Sequence, residues 1–276
     1  MIRIENLGFS YGKVPVLKNI TMDLEPGKIY GLLGENGVGK TTLLTLLCGL
    51  KKALEGSIRV DGIDPYSRNP ELLAKQFYLA DEMLALPIKA ADYAKMTGEF
   101  WPNYSHEMFL EIMELFENDP QKKLIAMSAG QLKKAYISLA LALGCRYIYL
   151  DEPTNGLDIP SKAQFRSALM KYTSEDSTIV ISTHQVRDLE NIIDPIIILD
   201  RQEVLLNADV ETISKKLYFD YGTELHPESL YSEQLPGGFI QVYPNADGRE
   251  SKVNIEALFN AVHKNKELIK GLFAIK

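Results

Sequence analysis

Between Lys28 and Gly49 the chain runs from a short apolar segment (Ile29, Tyr30, Gly31, Leu32, Leu33) through Gly34-Glu35-Asn36-Gly37-Val38-Gly39-Lys40-Thr41-Thr42 into an apolar helical pattern at Leu43, Leu44, Leu46 and Leu47. The loop matches G-x-x-x-x-G-K-[ST], and it falls where that motif has physical meaning, after a strand and at a helix start. Gly37 and Gly39 free the backbone N–H groups to turn toward an anion. Lys40 adds a positive charge for β and γ phosphates, and Thr41 offers a hydroxyl to a Mg²⁺ ion. A helix opening at Lys40 contributes unpaired N–H donors and the positive end of its dipole. At average usage such a coincidence arises in roughly 1% of chains this long, so the stretch predicts a polyphosphate site.

A length of 276 residues with 46% hydrophobic composition is enough for one large domain, or for one domain with an appendage. Thirty Lys and Arg against 37 Asp and Glu give a formal charge of −7, with no basic run. That balance argues against nucleic acid as a partner, because phosphate neutralisation needs clustered positive charge. The two cysteines, Cys48 and Cys145, sit in apolar surroundings without metal-ligand spacing and read as core residues of a reducing cytosol. The N-terminus opens directly on alternating Ile2 and Ile4, so no secretory signal is expected. The longest apolar stretch, Ala135 to Gly144, is too short to span a bilayer. The chain is therefore expected to be soluble and to reach a membrane only through a partner.

Along the chain, residues up to about Glu25 read as strands and turns, with Phe9-Ser10-Tyr11-Gly12 as a turn. Gly56 to Gly62 is a strand with a tight turn, Asn69 to Lys75 is helical, and Gln76 to Ala80 is a short strand. Ile88 to Asp119 is helical with an aromatic interruption at Phe100-Trp101-Pro102-Asn103-Tyr104, and Ser128 starts a further helix. Tyr147–Leu150, Ser177–Ser182 and Pro195–Leu199 are continuous apolar runs, the pattern of strands buried on both faces. Separated by helices, they predict an α/β core with a largely parallel sheet. Beyond Lys216, strands at Leu217–Gly222 and Phe239–Tyr243, an Asp247-Gly248 turn and a helix from about Asn254 to Val262 predict a small α+β appendage. Pro227 to Gly238 reads as a linker.

Four more segments carry chemistry. Tyr147-Ile148-Tyr149-Leu150-Asp151-Glu152 is a buried strand ending in two carboxylates, where ligands of α/β sheets collect. Asp151 could hold Mg²⁺ there, with Glu152 facing an attacking water. Asn155-Gly156-Leu157-Asp158 follows a Pro153-Thr154 turn. Ser182-Thr183-His184 ends another buried strand, and Met127-Ser128-Ala129-Gly130-Gln131 precedes the long apolar helix.

In their order and spacing these segments resemble the nucleotide-binding domain of ABC transporters over about residues 1–210, with Asp-Glu-Pro-Thr-Asn-Gly-Leu-Asp joining the second nucleotide motif to the D-loop. Trp101 to Tyr104 makes the chain most similar to single-domain ATPases of bacitracin-resistance-type exporters. The resemblance implies a P-loop NTPase core with an N-terminal antiparallel β subdomain and a helical subdomain at about 82–140. The ATPase domain would cover 1–215, with 216–276 as the small C-terminal extension. It implies ATP and Mg²⁺ as cofactors and ATP hydrolysis coupled to transport, with export as the direction. The partners implied are a multi-span membrane permease and a second ATPase subunit, identical or different. The chain itself would be cytoplasmic, on the inner face of the cell membrane.

Residue by residue, the resemblance implies that Tyr11 stacks on adenine while Gly34, Glu35, Asn36, Gly37, Val38, Gly39, Lys40, Thr41 and Thr42 wrap the phosphates. Thr41 and Asp151 would serve Mg²⁺. Glu152 would be the general base or water-polarising group, and His184 would contact the γ-phosphate. Ser128, Gly130, Gln131 and Asp158 would act on the nucleotide of a second, head-to-tail subunit. Two departures stand out. Ala129 replaces a glycine of the usual Leu-Ser-Gly-Gly-Gln, which would be strained if that position needed φ > 0. Asp81 replaces the usual Q-loop glutamine and keeps an oxygen for Mg²⁺ on a shorter, charged arm. A GTPase lacks support, because Asn265-Lys266-Glu267-Leu268 has no aspartate to read guanine. The interval from Asp81 to Ser128 is too short for the coiled coil of a chromosome-type or repair ATPase, and a translation factor of this superfamily would carry two such domains. The remaining alternative is a soluble nucleotide-gated module acting on a cytosolic partner.

Overall fold

A computed structural model describes residues 1–273. The chain opens with the antiparallel strands β1 (Ile2–Tyr11) and β2 (Val14–Leu24), followed by β3 (Ile29–Leu33), α1 (Lys40–Leu47) and β4 (Glu55–Val60). Then come α2 (Pro70–Leu73), β5 (Gln76–Leu79), α3 (Ala90–Gly98), α4 (His106–Leu115) and α5 (Ala129–Ala142). The core closes with β6 (Tyr147–Asp151), α6 (Ile159–Tyr172), β7 (Thr178–Thr183), β8 (Ile196–Asp200) and β9 (Glu203–Ala208). The last part holds α7 (Val210–Lys216), β10 (Leu217–Gly222), β11 (Tyr231–Leu235), β12 (Gly238–Pro244), α8 (Ile255–Lys264) and α9 (Lys266–Phe273).

These strands form a three-stranded antiparallel sheet β2-β1-β4, a six-stranded sheet β5-β6-β7-β3-β8-β9 and a three-stranded antiparallel sheet β10-β12-β11. In the six-stranded sheet β5 to β8 run parallel, and β9 closes one edge antiparallel to β8. The expected α/β class and the antiparallel N-terminal subdomain are thus both present.

The apolar runs behave as the two-sided burial rule requires. On β6, Tyr147 and Tyr149 join the core shared with β1, β2 and α1, while Ile148 and Leu150 join the opposite core beneath α3–α6. Both faces of the strand are thereby desolvated, and its C-terminal Asp151 is carried into a buried position. The helical subdomain is anchored by the aromatic stretch: the Trp101 indole N–H donates to the carbonyl of Gln76 (3.1 Å), and its ring meets Phe77 edge-on at 5.6 Å.

Three features depart from the sequence reading, the first being that β1 runs through Phe9, Ser10 and Tyr11, so the expected turn is confined to Gly12 and Lys13. The linker expected over Pro227–Gly238 contains β11, which pairs with β12 from Tyr231↔Val242 to Leu235↔Gly238. It is an edge strand with only Tyr231 buried, so Ser232, Glu233 and Gln234 gave a turn-like composition instead of an alternating one. The extension also carries a further helix, α9, packed along β9. Its apolar positions continue the same core that lies beneath α3–α6.

Both cysteines are buried free thiols. Burial pushes Cys48 up to about 11 and Cys145 up to about 12. At pH 8 both stay protonated in the folded chain, and their stabilising contribution is complete below the unfolded thiol pKa of about 8.5 and is lost as pH rises toward those values. Neither thiol should react with a thiol-specific reagent in native protein at pH 8, and both should react in denaturant. Stoichiometric labelling of the native form would contradict this burial.

Candidate active site

The site is built at the carboxyl ends of β3, β5, β6 and β7, around a cavity of about 490 Å³ lined by residues that include Tyr11, Lys40, Thr41, Asp151, Glu152 and His184. After β3 the chain must turn sharply into α1. Gly34 makes that possible, since a Cβ there would sit 2.6 Å from the Leu199 carbonyl oxygen. Gly39, at φ 112, occupies a backbone region that side chains rarely adopt, and it caps α1 so that Lys40 and Thr41 are its first residues.

Lys40 is buried. Its ammonium donates to the carbonyls of Gly34 (2.8 Å) and Glu35 (3.1 Å) and lies 3.3 Å from Glu152 Oε1. A charge this desolvated is stable only when paired, so the loop is held in a form ready for an anion. Asp151, at the end of β6, accepts hydrogen bonds from Ser182 (2.5 Å), Thr41 (2.7 Å) and Tyr78 (3.2 Å). Burial, followed by the charge of Asp151, raises the Tyr78 hydroxyl well above the ordinary tyrosine range, which keeps it a donor. Thr41 and Asp151 together present hard oxygen donors of the kind Mg²⁺ takes alongside phosphate oxygens, so this pair fits that ion. Among the described residues no group of three or more His, Cys, Asp or Glu could hold a metal ion by itself.

Glu152 has the left-handed backbone of φ 46, unusual for a residue with a side chain. Such a conformation costs on the order of 1–3 kcal/mol and persists only where neighbours over-determine it. Its N–H donates to Ser182 Oγ (3.0 Å), and its carboxylate lies 2.9 Å from His184 Nδ1 and 3.3 Å from the Lys40 ammonium. The result is a carboxylate aimed into the cavity between two basic groups. Tyr11 is half exposed, its hydroxyl 3.3 Å from Thr42 Oγ1, with the Lys51 ammonium over its ring at 5.0 Å and Phe9 edge-on at 5.1 Å.

Asp81 also lines the cavity, but its carboxylate has a partner that the sequence did not reveal: the Lys133 ammonium, 2.8 Å away. The expectation of a free metal-facing oxygen at Asp81 therefore meets a competing ion pair. Ser128, Gly130, Gln131 and Asp158 do not line this cavity. Ser128 caps α5, accepting from the Gln131 N–H (3.3 Å) while Gln131 Oε1 accepts from the Ser128 N–H (3.1 Å). Asp158 caps α6, and hydrogen bonds from Ser161 hold its carboxyl below the usual range. Ala129 is the first residue of α5 and has no positive φ, so its methyl group carries no left-handed strain.

Sequence reasoning missed Lys133 and gave Tyr78, Asn155 and Ser182 no role of their own. Tyr78 pairs with Tyr149 across parallel strands, and Ser182 pairs with Asp151, so the sheet register identifies both once strand order is known. The loop, the paired strand-end acids and the histidine just past β7 lie on a phosphate-loop NTPase core.

The ABC transporter family model matches residues 17–155. The chain is 30% identical to a methionine import ATP-binding protein of Clostridioides difficile, over 77% of this chain and 70% of that one. It is 29% identical to a lantibiotic transport ATP-binding protein of Streptococcus pyogenes, over 76% and 92%. Among solved structures, an ATP-binding cassette described as a dimer in a post-hydrolysis state with ADP and Pi superposes with a TM-score of 0.66 at 23% identity, covering 76% of this chain and 98% of that one. The chain belongs to the ABC transporter family. Among the described residues no helix is long and apolar enough to cross a membrane.

Proposed function

We propose that the chain is the ATP-hydrolysing motor of a membrane exporter, working with a separate multi-span permease and a second ATPase subunit. The observation that carries the reading is Glu152, strained at the end of β6 and held between Lys40 and His184 over the phosphate loop. A module that only bound nucleotide would have no use for a carboxylate so held. In this reading Tyr11 stacks on the adenine, residues 34–42 bind the phosphates, and Thr41 and Asp151 hold Mg²⁺. When bound, that ion supplies positive charge against the phosphate oxygens. Glu152 takes the proton of the attacking water, and His184 keeps the Glu152 carboxylate oriented and contacts the γ-phosphate.

Ser128, Gly130, Gln131 and Asp158 serve the nucleotide of the second subunit, consistent with their lying outside this chain's own cavity. The ATPase domain is assigned to 1–215 and the extension to 216–276. The chain would work from the cytoplasmic face of the membrane through its permease. Export as the direction rests on the Trp101–Tyr104 stretch alone, since one relative is named for lantibiotic transport and another for methionine import.

Affinity isolation of the full chain from detergent-solubilised membranes of its host, with the attached proteins identified by mass, tests this. A multi-span membrane protein in stoichiometric amount is expected. Recovery of soluble partners alone would favour a nucleotide-gated cytosolic module instead.

A further inference from the structure

Lys133 lies on the second turn of α5, and its side chain is almost entirely buried. Its ammonium donates to Asp81 Oδ1 (2.8 Å), beyond the end of β5, and to the backbone carbonyl of Glu152 (3.0 Å), beyond the end of β6. One side chain thus ties together three segments that converge on the cavity. The Glu152 carbonyl also accepts from the Asn155 N–H (3.1 Å), while the Glu152 N–H is held from the other side by Ser182. The peptide after Glu152 is therefore gripped from the helical subdomain, and the peptide before it from the central sheet.

This matters because of the φ 46 backbone at Glu152. A left-handed residue with a side chain has a nearby lower-strain alternative, and relaxing toward it would swing the carboxylate away from Lys40 and His184. We propose that Lys133 is a positioning residue: paired with Asp81, it locks the Glu152 backbone and makes the placement of that carboxylate depend on the seating of α5. The same helix begins at the Ser128–Gln131 capping box, so whatever engages that end moves a rod whose second turn holds the acid in place. The Asp-for-Gln departure at position 81 then has a reason. An aspartate neutralises a buried lysine, which an amide would not do.

The inference rests on the ATPase reading of Glu152, and the test separates the two. Lys133→Met removes the ammonium but keeps an unbranched side chain of similar length, and Asp81, partly exposed, turns to water. Lys133→Arg retains the charge and the donors. Steady-state hydrolysis, equilibrium binding of a fluorescent ATP analogue and thermal midpoints are measured on the purified full chain.

Lys133→Met is expected to lower kcat roughly 10- to 100-fold, the effect of misplacing a reacting group by about an ångström. KM and analogue affinity should stay within about two-fold of wild type, and Lys133→Arg should recover most of the rate. Unchanged kcat in Lys133→Met, alongside active wild type, would overturn the positioning role. So would a fall in thermal midpoint and in analogue affinity with kcat retained, which would make Lys133 a packing residue. Wild-type hydrolysis that Glu152→Gln leaves unchanged would overturn the parent reading itself.

Discussion

Lys40→Ala is expected to weaken ATP affinity by about 10²- to 10³-fold. The Lys40 ammonium is buried at the mouth of α1, and in the free protein it is paired with Glu152 and with two loop carbonyls. Truncating one partner of a hydrogen-bonded charge pair across a binding interface costs about 2–5 kcal/mol of affinity, and each 1.4 kcal/mol is a factor of ten. Two losses combine here: the phosphates lose their cation, and Glu152 becomes a buried anion facing them with only His184 beside it. Repulsion between that carboxylate and the polyphosphate pushes the affinity down further. Titration with a fluorescent ATP analogue measures the change, and an affinity equal to wild type would refute the phosphate-loop assignment.

Glu152→Gln should behave in the opposite manner, keeping nucleotide binding while lowering turnover by roughly 10²- to 10⁴-fold, the usual weight of a positioned general base. The amide has the same size and reaches the same neighbours, so the left-handed backbone and the contacts of Ser182 and Lys133 are retained. What it lacks is a basic oxygen to take a proton from water. Removing the negative charge beside Lys40 also relieves repulsion toward the phosphates, so affinity should rise or hold. Phosphate release under saturating ATP is the measurement, and a rate near wild type would remove Glu152 from the chemistry.

The parts that were readable in advance are those whose signal is local. Gly34 to Thr42 declares itself because glycine spacing, a lysine and a helix start coincide within nine residues. β6, β7 and β8 are readable because a strand buried on both faces has nothing polar to interrupt it. β11 was hidden, since an edge strand exposing Ser232, Glu233 and Gln234 has the composition of a loop. α6 left little trace for a related reason: it buries chiefly Phe165, Ala168 and Leu169, too thin a stripe to mark a helix. Lys133 was unreadable in a stronger sense. On sequence it is one of two adjacent lysines on a helix, and only folding brings it to an aspartate 52 positions away.

The continuity of the core into the C-terminal extension has a thermodynamic consequence. Leu217, Phe219, Val242 and Leu258 belong to the same buried cluster as Ile148, Leu150 and Ile181 of the central sheet. α8 rests on the turn Val186–Leu189, directly after His184, with Arg187 bonded to Glu256. Opening either the extension or the central sheet exposes apolar surface of this shared cluster, so the two are expected to open together. A nucleotide that binds only the native state is therefore expected to slow hydrogen exchange in the distant β10-β12-β11 sheet as well as at its own site.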